Sequence, residues 1–152
     1  EAAMPKWTTG EGAEGYYKSG IRAAMEFTAA NTPVKYQHGV KIDDAYIASY
    51  LEGPQVKFGA SATENLNRIY KQKYILYFLQ HEWDAFFECR RTGVPELPVN
   101  PSTNMNTDPS KMLVRWMYPQ TEYDRNNANV MEAIARQYDG LDNENCVMWL
   151  LK

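Results

Sequence analysis

The side chains in these 152 residues that could bind metal or move protons are 2 His, 2 Cys and 19 Asp or Glu. His38 and His81 lie far apart, and neither has a second ligand one helical turn away, so no metal site is expected. Cys89 and Cys146 form no C-x-x-C pair, which argues against zinc and against a redox motif. A disulfide between them stays open, with two thiols the favoured state. Glu82, Asp84 and Glu88 could supply an acid/base pair, since 84 and 88 share a helical face. Pairing with Lys73, Arg90 or Arg91 accounts for them more simply. The sequence holds no G-x-S-x-G, H-E-x-x-H or Cys–His constellation, so no catalytic residue and no enzyme activity are expected.

Gly10, Gly12 and Gly15 match G-x-G-x-x-G ahead of a helix, but residues 4–9 do not read as the buried strand a dinucleotide site needs. Glu11 and Glu14 would repel a pyrophosphate there, whereas as helix-start residues they complement the dipole. Lys18-Ser19 ends like a phosphate loop but lacks the glycine before the lysine. No cofactor is expected. A net charge of −3 without a Lys/Arg run gives nucleic acid no electrostatic purchase. What remains is aromatic and amide chemistry, the kit for flat ligands with hydroxyls: rings cover C–H faces and amides bond to edges. Trp7, Tyr36 and His38 fall in loops and are the candidate ligand-binding residues; Tyr74, Tyr77, Phe78, Trp83 and Phe86 are read as core.

The elements that must position these groups read as helices separated by polar loops. Tyr17, Ile21, Ala24, Met25 and Thr28 make one helical face within 14–28. A second helix covers 43–51, opened by two acids and stopped by Gly53-Pro54. Ser61 and Glu64 form a capping box, after which no Gly or Pro occurs until Gly93. So long a stretch predicts a buried helix or two nearly continuous ones, bent near 79–81. Residues 93–110 are turn chemistry at almost every step, and 112–117 a short extended piece. The last helix should end at Tyr138, with Asp139-Gly140 as a left-handed stop. Leu, Ile, Val and Phe number only 28 residues, so 11 Tyr, 4 Trp and 7 Met must furnish much of the interior. No uncharged apolar run exceeds 74–79, far short of the ~20 residues that span a bilayer. The expectation is a single, mostly helical, all-α region over 1–152 with long loops.

Three stretches are familiar as strings. Residues 64–74, ENLNRIYKQKY, run on to 84–95, DAFFECRRTGVP; later come Arg115, Tyr118, Pro119, Glu122, Asn126 and Asn129 in an R-x-x-Y-P-x-x-E-x-x-x-N-x-x-N pattern. Together with GIRAAMEF at 20–27, these resemble, in order, the SusD/RagB-like outer-membrane lipoproteins. Phe86 stands where that family commonly has Trp, and Cys89 where an aromatic is usual. The resemblance implies a tetratricopeptide-containing fold of which this is the C-terminal portion, since such proteins are several times longer. It also implies a lipid-anchored, cell-surface place on the bacterial outer membrane, with the anchor upstream. The implied function is non-enzymatic capture of an oligosaccharide or peptide for a SusC-like TonB-dependent transporter, the upstream chain being a further partner. The alternative is a helical fragment that completes a larger fold and binds no ligand itself.

The shared motif residues have a structural reading of their own. Arg90, Arg91 and Gly93 suit a helix C-terminus, as cations and as a left-handed cap. Arg115 could hold Glu122 bidentately to fix the Tyr118-Pro119 bend. Asn126 is a candidate N-cap.

Overall fold

The computed structural model describes residues 12–81 and 83–148, and all regular structure among them is helical. Five α-helices follow in order: α1 Gly12–Asn31, α2 Asp44–Leu51, α3 Ala62–Tyr77, α4 Asp84–Thr92 and α5 Gln120–Tyr138, with a 3₁₀ turn at Val34–Tyr36. The chain packs as two compact units, residues 1–85 and 86–152.

The first unit is built on apolar spacing. Tyr17 and Ile21 of α1, Ile47 and Leu51 of α2, and Val56 form one buried cluster, flanked by Met25, Ile42, Tyr50, Phe58 and Ile69. Ile47 is 2% exposed and marks its centre. Tyr17 sends its hydroxyl to the Val56 carbonyl at 2.7 Å, so a ring in the core still satisfies its polar end. Two helix starts are chemically set. Asp43 accepts from the Tyr46 amide at 3.0 Å, and Ser61 accepts from the Glu64 amide at 3.3 Å. Asn65 is the buried polar residue of α3; it donates to the Gly59 carbonyl at 2.7 Å and accepts from the Gly59 amide at 2.8 Å. That clamp ties the loop after α2 to the first turns of α3.

The long breaker-free stretch divides as its length requires. α3 stops at Tyr77, Leu79 takes a positive φ of 59°, and α4 begins at Asp84. The expectation of a wholly buried run fails here. Phe78 is 56%, Leu79 92% and Trp83 53% exposed, while Tyr74, Tyr77 and Phe86 are half-buried. The reason is geometric: ending the helix at Tyr77 takes the following residues off the face that α3 turns toward α1. Ile75 and Leu76, inside the helix, are also exposed.

The second unit has a smaller apolar centre, Val130, Ile134 and Tyr138 of α5, beside a buried Arg115. α5 ends as its sequence indicates: Asp139 and Gly140 both have positive φ, and the Gly140 amide returns to the Ile134 carbonyl at 3.3 Å. Residues 112–117 form no strand; instead the Val114 and Arg115 amides both reach the Glu144 carbonyl, at 2.9 and 3.3 Å.

Candidate functional site

Of the three residues singled out for binding, Trp7 lies outside the described residues. Tyr36 and His38 share one exposed turn of the first unit. The 3₁₀ turn is closed by the Tyr36 amide on the Pro33 carbonyl at 2.8 Å, and Gln37 braces it through Nε2 on the Thr32 carbonyl at 2.9 Å. Tyr36 stands 58% exposed, with Lys35 Nζ 4.6 Å from its ring centroid. His38 follows at φ 49°, a left-handed position beside Gly39 at φ 77°. A ring, a cation and an imidazole thus sit together on a braced, solvent-facing turn.

The same unit carries a groove of about 620 Å³ between α1 and α3, lined by Tyr16, Ile21, Met25, Ile69, Ile75 and Leu76 among others. Gln72 at its margin accepts from the Tyr50 hydroxyl at 3.0 Å. A groove so apolar suits a helix or an apolar ligand better than a sugar.

The second unit shows what the motif residues do. Arg115 is 5% exposed and pairs with Asp142, not with Glu122 as its spacing suggested. Its Nη1 also donates to the Asn143 carbonyl at 3.1 Å, and the guanidinium lies 4.2 Å from the Tyr138 ring and 5.6 Å from the Tyr118 ring. The second oxygen of Asp142 accepts from the Tyr123 hydroxyl at 2.6 Å and the Tyr118 amide at 3.0 Å. Burial pushes the Asp142 carboxyl up, but the Tyr123 hydroxyl, Arg115 and the Tyr118 amide outweigh it and hold it below the ordinary carboxylate value. Glu122 instead reaches Asn126 Nδ2 at 3.4 Å. Asn126 does not start the helix. It sits at φ −138° where α5 is broken, and its Oδ1 accepts from Asn129 Nδ2 at 2.6 Å. α5 starts at Gln120 with Pro119 in the cap position, whose ring carries no group that could accept a hydrogen bond.

Asp142 escaped sequence reasoning because its partner is 27 positions away and no local spacing points to it. Glu144 and Asn145 escaped likewise. Glu144 accepts from the Thr107 amide, and Asn145 accepts from the Asp108 amide at 2.8 Å, so the segment after α5 pins the long loop. Asp108 itself is drawn down to about 2 by the Ser110 hydroxyl and Lys111.

At the end of α4 the glycine cap forms as read, while Arg90 lies over the Phe86 and Phe87 rings and Arg91 turns to Glu88. Gly93 takes φ 71° and its amide closes on the Cys89 carbonyl at 2.8 Å. Thr92 Oγ1 donates to the Glu88 carbonyl at 2.7 Å and accepts from the Val94 amide at 3.1 Å. Arg91 pairs with Glu88 at 3.0 Å, and Asp84 with His81 at 3.3 Å, while Glu82 lies outside the described residues. Both cysteines are free, half-buried thiols; burial, then the Glu88 charge, pushes Cys89 up. Among the described residues no three His, Cys, Asp or Glu gather to hold a metal, and no helix is long and apolar enough to cross a membrane.

One further cluster was not foreseen. Trp116 meets Phe86 edge-on at 5.3 Å and Phe87 at 6.2 Å, with Arg90 over both phenyl rings at 5.2 and 5.8 Å. Phe86 and Phe87 were legible as helix residues, but Trp116 joins them from a segment with no regular structure.

Comparison with known proteins places these features. Residues 1–151 match the model of the SusD-like family, described as SusD and RagB outer-membrane lipoproteins. Among solved structures, a SusD homolog from Bacteroides fragilis is 43% identical, with a TM-score of 0.82 over 91% of this chain and 30% of its own. A second SusD homolog from the same species is 38% identical, with a TM-score of 0.74 over 90% of this chain and 29% of its own. An outer-membrane protein of Bacteroides vulgatus, whose description ties it to nutrient binding, is 31% identical, with a TM-score of 0.73 over 91% of this chain and 29% of its own. The chain therefore spans under a third of the length of these relatives. No curated protein matches it. Matched by the family model over residues 1–151 and all-α among its described residues, the chain belongs to the SusD-like family of outer-membrane lipoproteins.

Proposed function

We propose that this chain is the C-terminal portion of a SusD-like protein that captures a nutrient, a glycan or a peptide, at the outer-membrane surface. It binds without breaking a bond and passes the ligand to a SusC-like TonB-dependent transporter. Membership of the family across residues 1–151 is the observation that carries this reading. The exposed Tyr36–His38 turn supplies the chemistry: an aromatic face for C–H groups, with Lys35 and His38 beside it for hydroxyls or carboxylates. Titration of the intact chain against neutral oligosaccharides and short peptides tests it. Saturable binding, weakened about tenfold or more in Tyr36→Ala, supports the reading. Binding that is absent, or indifferent to Tyr36, overturns this site.

The apolar groove between α1 and α3 favours a second reading. Its lining, with Tyr16 50% and Ile75 57% exposed, resembles an unfinished packing face more than a sugar site. On that reading the region completes a larger fold and holds no ligand. A chain that binds no glycan or peptide, but whose melting temperature rises when joined to the rest of a SusD-like protein, would favour it.

A further inference from the structure

We propose that the second unit carries a subsite for a carboxylate-bearing sugar, a uronic acid residue of an oligosaccharide, with Trp116 and Phe87 as the stacking platform and Arg90 as the cation. It rests on the reading of the chain as a glycan-binding region and narrows the ligand class.

Two observations meet here. First, Trp116 is 49% and Phe87 48% exposed, although they come from different segments and touch each other. Rings locked edge-to-face by neighbours keep their orientation, so little rotamer freedom is lost when a pyranose stacks on them. Second, Arg90 has donors to spare. Its Nη2 reaches the Met148 sulfur at 3.4 Å, a weak acceptor, so the Nη edge is lightly engaged; its Nε is unpaired but buried, out of a ligand's reach. The nearby Glu88 is held by Arg91 at 3.0 Å. A guanidinium seated on phenyl rings, with its Nη edge on nothing stronger than a thioether, is matched by a planar, two-oxygen acceptor, which a sugar carboxylate supplies and a neutral sugar lacks.

An extended peptide fits less well. Adding a strand along 114–118 would need free amides, but those of Val114 and Arg115 are spent on the Glu144 carbonyl and that of Tyr118 on Asp142.

Calorimetric titration of the intact chain with tetragalacturonate, neutral galactotetraose and a tetraglutamate peptide tests the assignment. Tetragalacturonate should bind at least about tenfold tighter than galactotetraose, a preference that weakens with salt. Arg90→Gln should abolish the preference, Arg90→Lys should retain part of it, and Trp116→Ala should weaken tetragalacturonate binding about tenfold or more. Should Arg90→Gln unfold the unit, Phe87→Ala decides in its place, because that exposed ring can be removed without opening a core. Equal affinity for the two sugars, a preference that survives Arg90→Gln, or tetraglutamate binding as tight as tetragalacturonate overturns the subsite. If galactotetraose still binds through Tyr36, only the subsite falls; if no glycan binds at all, the parent reading falls with it.

Discussion

The two units of this chain solve the same problem with different materials. Residues 1–85 close around Ile47, Ile21, Leu51 and Val56, an aliphatic cluster edged by tyrosine and phenylalanine. Residues 86–152 have three buried apolar residues on α5 and, beside them, a buried ion pair bearing two aromatic faces and three further hydrogen bonds. An aliphatic core tolerates small losses because each contact is weak and the neighbours relax. A buried charge does not, because removing its partner leaves it unpaired in a low dielectric. The harshest single cut should therefore cost the second unit somewhat more than the first.

The largest expected effect is in the second unit. Arg115→Ala leaves the Asp142 carboxylate without its cation, held only by the Tyr118 amide and the Tyr123 hydroxyl, and should cost about 3–5 kcal/mol there. Hydrogen exchange should show α5 and residues 112–146 losing protection while α1 and α2 keep theirs; uniform loss would erase the distinction between the units. The matching cut in the first unit, Ile47→Ala, removes a side chain only 2% exposed and should cost about 2–5 kcal/mol in urea unfolding. A cost below 1 kcal/mol would mean that the aliphatic cluster is not what holds this unit.

Acid should weigh most on the buried pair of the second unit, because the lowered carboxylates of the first, Asp43 and Glu52, are exposed and screened by solvent. Asp142 is held below its ordinary carboxylate value in the folded state, so the native form binds fewer protons than the unfolded one as pH falls. Its contribution is full above about pH 4 and drains away as pH drops through the lowered folded value. Glu144 is lowered as well, by backbone amides including that of Thr107, and titrates with the same sign. Asp142→Asn should flatten that acid limb in a melting series from pH 6 to pH 2. An unaltered limb would assign the acid loss to other carboxylates. The smallest effects are single hydrogen bonds. Tyr17→Phe gives up the bond to the Val56 carbonyl and Ser61→Ala the cap on Glu64, each expected at about 1 kcal/mol.

The contrast also explains what could be read beforehand. Helix faces, caps and stops follow from nearest neighbours, so Tyr17, Ile21 and Ile47, the Ser61 cap, and the Gly93 and Asp139-Gly140 stops were all legible, while Asp43 was read as a charge at the helix start and proves to be its cap. The resemblance to SusD-like proteins was carried by motif strings and stands. What could not be read is long-range pairing. Arg115 looked for Glu122 one bend away and found Asp142 beyond the whole of α5. Burial of the aromatics was misjudged for a related reason: an apolar string is core only where another element covers it. Phe78 and Trp83 lie past the point where α3 ends, so hydrophobicity alone overstated their burial. For the candidate site, sequence position identified the Tyr36–His38 turn as a loop but could not show that Lys35 would stand over the Tyr36 ring.

The most direct test of the binding role is a titration of the intact chain with oligosaccharides, followed by calorimetry and by product analysis, in the native sequence and in Tyr36→Ala. Saturable binding with the sugar recovered uncleaved, lost in a variant whose melting temperature is unchanged, is the predicted result. Cleavage of the sugar, or affinity untouched by the loss of Tyr36, would contradict it.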